Sequence, residues 1–337
     1  MRKITALFTA ALLAASVGIT AHAEGDGLVV LGDSITSGYG LDGYVSGDNY
    51  SAAGGFANQL GEDFTEYSNF AVDGRTSGEL LTALDDEEIA TALEGADTVV
   101  VSIGGNDFLQ PMLTAAMNKA AENPELLKIM SGAVSGGDLL GSLTSGSATA
   151  EADGENYLDI MMDFARAMTE AADSVDIQQV VDNIDGILGT VSARAPESQI
   201  IVLTVYNPFE GVTGMELFDT MARTKLEELN SGIASAAENN GAQVADVNAA
   251  FAGHALEYTN ISRVDIHPNE QGHGVIYQLL LDITGADLNV STEEPLPADE
   301  PDSVQKGSPD TGAEGFAVIG GIAALAGTFL VISRKRS

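Results

Sequence analysis

Leu28-Val29-Val30-Leu31-Gly32-Asp33-Ser34 is an apolar run that stops on a glycine and two polar residues. Four consecutive large aliphatic residues leave no polar face, so the run reads as a strand buried on both sides. Similar runs recur at 98–103 (Thr-Val-Val-Val-Ser-Ile), 199–205 (Gln-Ile-Ile-Val-Leu-Thr-Val) and 242–246 (Ala-Gln-Val-Ala-Asp), with a weaker one at 66–70. Helical patterns lie between them. Ile177, Val180, Val181, Ile184, Ile187, Leu188 and Val191 recur at steps of three and four, which is one apolar stripe. Tyr157, Met161, Phe164, Ala165 and Met168 repeat that spacing just before it, and Leu226, Leu229 and Ile233 mark another helix. Buried strands alternating with amphipathic helices predict an α/β chain, a three-layer α/β/α sandwich around a parallel sheet.

Almost a hundred residues separate the second and third strands, about 108–194. Within that helical insertion, 131–154 is rich in Gly and Ser and reads as a loop. The insertion reads equally as a lid over a site or as extra packing.

The two ends read as signals rather than fold. Met1-Arg2-Lys3, an apolar stretch over 4–20 and Ala21-His22-Ala23 have the layout of a secretory signal peptide, residues 1–23. At the other end, 316–332 is apolar and small throughout, long enough for a bilayer span, and Arg334-Lys335-Arg336 follow. The acidic segment 289–307, with Pro295, Pro297 and Pro301, reads as an extended spacer after a domain over 24–288. Ahead of the apolar run stands Ser308-Pro309-Asp310-Thr311-Gly312. Residues 308–337 thus resemble a sortase-type cell-wall sorting signal carried by Pro309, Thr311 and Gly312, with Ser308 where leucine is commonest. That resemblance implies sortase and peptidoglycan as partners on a Gram-positive surface. A plain C-terminal membrane anchor is the other reading, and both place the domain outside the cell.

The chain has no cysteine and a formal net charge of −36. Processing at both ends would leave a product near −40. Such a surface repels nucleic acid and anionic membranes, so nucleic-acid binding is excluded.

In an open parallel sheet, ligands sit beyond the carboxyl ends of the strands. Small polar sets follow the strands here: Gly32-Asp33-Ser34, then 69–76 with Asp73-Gly74-Arg75, then Gly104-Gly105-Asn106-Asp107. A fourth, Asp265-Ile266-His267-Pro268, lies near the end of the domain. In this order the four sets resemble the blocks of the SGNH, or GDSL, serine hydrolases, over nearly the whole body of the chain. The resemblance implies a flavodoxin-like sandwich and an esterase or lipase. It implies Ser34 as nucleophile, His267 as base and Asp265 as the acid that orients it, with Ser34, Gly74 and Asn106 forming the oxyanion hole. The acid departs from the family's pattern, in which it most often lies three residues before the histidine, here Val264. Chemistry supports these roles. A serine hydroxyl needs a base to become a nucleophile, and the oxyanion needs donors set in advance. His22 leaves with the signal peptide, and His254 stands outside the four sets. Gly74 is expected to let the backbone approach substrate closely because it has no Cβ, and Asp33 to brace its turn. His267 and His273 lack the spacing of a zinc helix, and no dinucleotide fingerprint follows the first strand, so neither a metal nor a cofactor is expected. The substrate would be a small-molecule or glycan ester: lipid acyl esters and O-acetylated glycans both fit. An acyltransferase, and a surface-displayed binding protein on an inactive scaffold, are the alternatives.

Overall fold

The computed structural model describes residues 27–44, 52–124, 126, 154–213, 215–263 and 265–285. The proposed signal peptide, the spacer from 289 onward and the sorting signal lie outside the described residues. Five strands form one sheet: β1 (Gly27–Gly32), β2 (Glu66–Asn69), β3 (Thr98–Ser102), β4 (Gln199–Leu203) and β5 (Gln243–Ala245). They are hydrogen-bonded in the order β2-β1-β3-β4-β5, and every pair is parallel. The five runs expected from sequence are these five strands, and the order is the flavodoxin-like one. The order reverses between β1 and β3, which opens a crevice where their carboxyl ends diverge.

The helices in chain order are α1 (Ser34–Ser37), α2 (Phe56–Gly61), α3 (Ser77–Ala83), α4 (Glu87–Glu94), α5 (Gly105–Glu122) and α6 (Gly154–Asp173). After these come α7 (Ile177–Arg194), α8 (Glu216–Asn240), α9 (Val247–Phe251), α10 (Ala255–Tyr258) and α11 (Glu270–Thr284). Successive strand residues point to opposite faces, so the aliphatic runs feed two cores at once. Val29, Leu31, Val99, Val101, Ile200 and Val202 meet the layer containing α3 to α8. Leu28, Val30, Val100, Ile201 and Leu203 meet Phe56 and Leu60 of α2, Phe251 of α9, and Ile276 and Leu280 of α11.

The described part of the insertion is packing. Six residues of the α7 stripe, Ile177, Val180, Ile184, Ile187, Leu188 and Val191, are buried. The helix lies against α8 and α3. Phe164 and Met168 of α6 join the same core, and α6 lies along α5. Each such side chain contributes about 1.5–3 kcal/mol of burial, so these helices hold the sheet's flank. The loop at 127–153 lies outside the described residues. Among the described residues no helix is long and apolar enough to cross a membrane.

Gly32 ends β1 for a steric reason. A Cβ there would stand 2.2 Å from Thr36 Oγ1 and 2.7 Å from the Ser102 carbonyl oxygen. The chain can therefore turn from β1 into α1 while pressed against β3.

His273 lies inside α11 and is wholly buried, its ring stacked on Phe56 with centroids 5.9 Å apart. Its Nδ1 accepts a hydrogen bond from the Phe56 backbone N–H at 3.2 Å, so the proton of the neutral ring sits on Nε2, which has no partner among the described residues. Burial, with the nearby His267, pushes its pKa from 6.5 down to about 3. The unfolded chain therefore takes up this proton first, and the contribution is intact above pH 6.5 and lost as pH falls toward 3. His273→Asn keeps an acceptor near Nδ1 with nothing to titrate. The fall in Tm between pH 7.5 and pH 5 should be smaller in that variant than in the wild type, measured by calorimetry. An equal fall in both proteins would mean His273 does not contribute to acid sensitivity.

Candidate active site

The turn after β1 presents Ser34 at the start of α1. Asp33 caps this short helix, its Oδ1 accepting from Ile35 N at 3.0 Å. Ser37, one turn on, donates from Oγ to Asp73 Oδ1 at 2.7 Å, and the Tyr44 hydroxyl donates to the other Asp73 oxygen. These bonds tie α1 to the loop that carries Gly74.

Gly74 has φ +76, a left-handed conformation that L side chains rarely adopt. No described atom lies within 4 Å of where its Cβ would stand. Among the described residues, then, the constraint on Gly74 is conformational, and the space where a Cβ would stand is open. Gln110 Nε2, on α5, donates to the Gly74 carbonyl at 2.6 Å. That bond holds the oxygen and so orients the loop's peptide planes.

Asn106 enters from the first turn of α5, just past the carboxyl end of β3, and is almost fully buried. Its Nδ2 donates to Asp33 Oδ2 at 3.2 Å and to the Arg75 carbonyl at 3.1 Å. One side-chain amide thereby joins the β1 turn, the β3 turn and the Gly74 loop. Both of its protons are engaged, so an incoming oxyanion must displace one of these acceptors.

His267 arrives from the far end of the chain. The loop is fastened by a bridge between Thr259 and Pro268, by Asn260 N donating to the His267 carbonyl at 2.9 Å, and by Asn269, which caps α11. The Tyr206 hydroxyl donates to the Ile266 carbonyl at 2.6 Å. His267 Nε2 lies 2.9 Å from Ser34 Oγ, and Nδ1 lies 2.5 Å from Asp265 Oδ1. Asp265 Oδ1 also accepts from His267 N at 3.0 Å. The Tyr39 ring covers the imidazole, centroids 4.7 Å apart.

Two carboxyl groups here are pushed in opposite directions. Burial would raise Asp265, but the hydrogen bond and charge of His267 outweigh it and hold the carboxyl below its usual range. Asp33 is fully buried, and burial raises it to about 7 despite the Ile35 hydrogen bond and the nearby His267. Asp107, next to Asn106, faces away and accepts from Ser77 N and Oγ at 2.8 and 2.7 Å. Among the described residues no cluster of His, Asp or Glu could hold a metal ion.

The structure therefore brings Ser34, His267, Asp265, Gly74 and Asn106 together at one crevice. The spacing of Asp265, two residues before His267, is accommodated by a tight turn in which one carboxylate oxygen meets both backbone and ring of the histidine. Sequence reasoning missed Gln110, Tyr39 and Tyr206. Gln110 sits one helical turn after Asn106, which was the one signal available for it.

A sequence profile of the GDSL-like lipase/acylhydrolase family matches residues 30–275. The chain belongs to that family, and it is a serine ester hydrolase of the GDSL type. It is similar to Lipase 1 of Streptomyces coelicolor, 26% identical over 259 residues, which span 73% of this chain and 79% of that protein. Among solved structures it resembles phospholipase A1 from Streptomyces albidoflavus NA297, with 20% identity, a TM-score of 0.50, and coverage of 77% of this chain and 99% of that one. An extracellular lipase from Streptomyces rimosus overlays with 21% identity and a TM-score of 0.49, covering 77% of this chain and 99% of that one. The phospholipase likeness shows a shared fold.

The Asp33 bridge has a testable consequence. In Asp33→Asn, one amide oxygen can still cap Ile35, but the amide nitrogen would then face the nitrogen of Asn106, donor against donor. We expect kcat on a small ester to fall about 10- to 100-fold, the equivalent of one lost hydrogen bond to a charged group. An unchanged kcat in a folded variant would reduce Asp33 to a turn cap.

Proposed function

We propose that the protein is an exported, wall-anchored hydrolase that cleaves carboxylic esters through an acyl-enzyme on Ser34. The observation that carries the catalytic assignment is the line Ser34 Oγ, His267 Nε2, His267 Nδ1, Asp265 Oδ1, with separations of 2.9 and 2.5 Å. His267 takes the hydroxyl proton as Ser34 Oγ bonds to the ester carbonyl carbon. Asp265 holds the ring with its proton on Nδ1 and stabilises the imidazolium. The carbonyl oxygen, now negative, takes the N–H groups of Ser34 and Gly74 and one proton of the Asn106 amide. The tetrahedral centre collapses, the alkoxide leaves with the proton from His267, and the acyl group stays on Ser34. Water repeats the sequence with His267 as base, releasing the carboxylic acid and restoring the serine.

Export is supported by the basic start, apolar stretch and Ala21-His22-Ala23 site over 1–23. Wall attachment is supported by Pro309, Thr311 and Gly312 ahead of the apolar run 316–332 and its basic tail, the order a sortase would read. The chemistry of this step is the same for lipid acyl esters and O-acetylated glycans, so the choice between them falls to the walls around Ser34.

Three outcomes follow. Ser34→Ala should abolish esterase activity and keep the fold, and a fluorophosphonate probe should label the wild type at Ser34; labelling that persists in the variant would remove Ser34 as nucleophile. Asn106→Ala should lower kcat by about 10²–10³, with a much smaller change in KM because the bond forms mainly in the transition state. Mass spectrometry of muramidase-released protein should find chains ending at Thr311 joined to wall peptide. Mature protein that retains peptides beyond Gly312 would point to a membrane anchor instead.

A further inference from the structure

A half-open apolar cavity of about 50 Å³ lies beside the site. Three of its wall residues are chain neighbours of the proposed catalytic residues: Ile35 follows Ser34, Gly105 precedes Asn106 and Ile266 precedes His267. The remaining wall comes from Phe108 and Leu109 on α5, from the 205–209 segment that leaves β4, and from Ala222 and Leu226 on α8. The cavity thus lies past the carboxyl ends of β1, β3 and β4, where this fold places ligands. Tyr206 belongs to the wall, and its hydroxyl is spent on the Ile266 carbonyl, so that the ring is what remains to face a ligand. Asn106 and the other polar groups of the site are absent from this wall.

We propose that this cavity is the acyl subsite and that it limits the enzyme to short acyl groups. The inference rests on the ester-hydrolase reading above. The occupant follows from the chemistry: the half of the ester that stays on Ser34 after the alcohol leaves must lodge next to that residue, and a wall without polar groups suits a hydrocarbon. Its length follows from the volume. The cavity is small, so it takes only a few methylene-sized groups. An acetyl group would leave most of it empty, and a long fatty acyl chain would meet the packed side chains of Phe209, Ala222 and Leu226, all buried. Burial of one methylene in an apolar pocket changes kcat/KM by about 10- to 200-fold, enough for a sharp length preference.

The test is kcat/KM on p-nitrophenyl acetate, butyrate, hexanoate, octanoate and palmitate with the full mature chain. Butyrate or hexanoate should exceed acetate by about tenfold or more, and palmitate should be the poorest. Ala222→Leu fills the cavity and should move the preference to acetate, while Leu226→Ala extends it and should move the preference toward octanoate. If Ala222→Leu does not fold, as judged by circular dichroism, Leu226→Ala decides alone. Acetate as best wild-type substrate, rates still rising to palmitate, or a profile unchanged in a folded variant would overturn the subsite while leaving the hydrolase standing. No turnover of any ester, with no phosphonate labelling at Ser34, would bring down the hydrolase reading and the subsite together.

Discussion

The parallel pairing of β1 with β3 is the constraint on which the rest of the site depends. It places Gly32 opposite Ser102, and so brings the turn holding Ser34 level with the turn holding Asn106. Residues far apart in sequence, Ile35 and Asn106, then share one buried carboxylate, Asp33, which bonds Ile35 N with one oxygen and Asn106 Nδ2 with the other. Gly32 makes the approach possible, since any side chain there would collide with the Ser102 carbonyl. The raised pKa of Asp33, about 7, reflects what its burial costs. Active sites commonly carry such a cost where geometry matters more than stability.

The base reaches this crevice by a different route. No strand ends at His267. It is held by short-range bonds around Asn260 and Asn269 and by α11, whose apolar face packs on the opposite side of the sheet from α5. Nucleophile and base thus stand on separate supports, and the Tyr206 hydroxyl on Ile266 is one link between the β4 exit and the base loop. Asp265 completes the line from only two residues away. A single oxygen serves both the backbone and ring nitrogens of His267, so the short spacing costs no geometry.

Much of this was legible beforehand, for identifiable reasons. Aliphatic runs such as Leu28 to Leu31 are wide enough in pattern to mark a strand buried on both faces, and the α7 stripe from Ile177 to Val191 marks its buried side. The ordered sets around Ser34, Gly74, Asn106 and His267 pointed to the site through a family likeness, not through any periodicity. Gly74 was legible as a glycine through the same likeness, but its backbone angle of +76° was not, since the loop it stands in sets that angle.

What the sequence determined by itself was local: which segments are strands, which helix faces are apolar, which polar residues follow strand ends, and what charge the surface carries. These follow from the step of side chains along one element, so no distant residue is needed to read them. The contacts that decide chemistry have no such signature. Gln110 on the Gly74 carbonyl, both protons of Asn106, and an apolar cavity assembled from α1, α5, the β4 exit, α8 and the residue before His267 all join segments far apart in the chain. They depend on the strand order and on how the crossovers pack, because those alone decide which loops share the crevice at the carboxyl ends of β1 and β3.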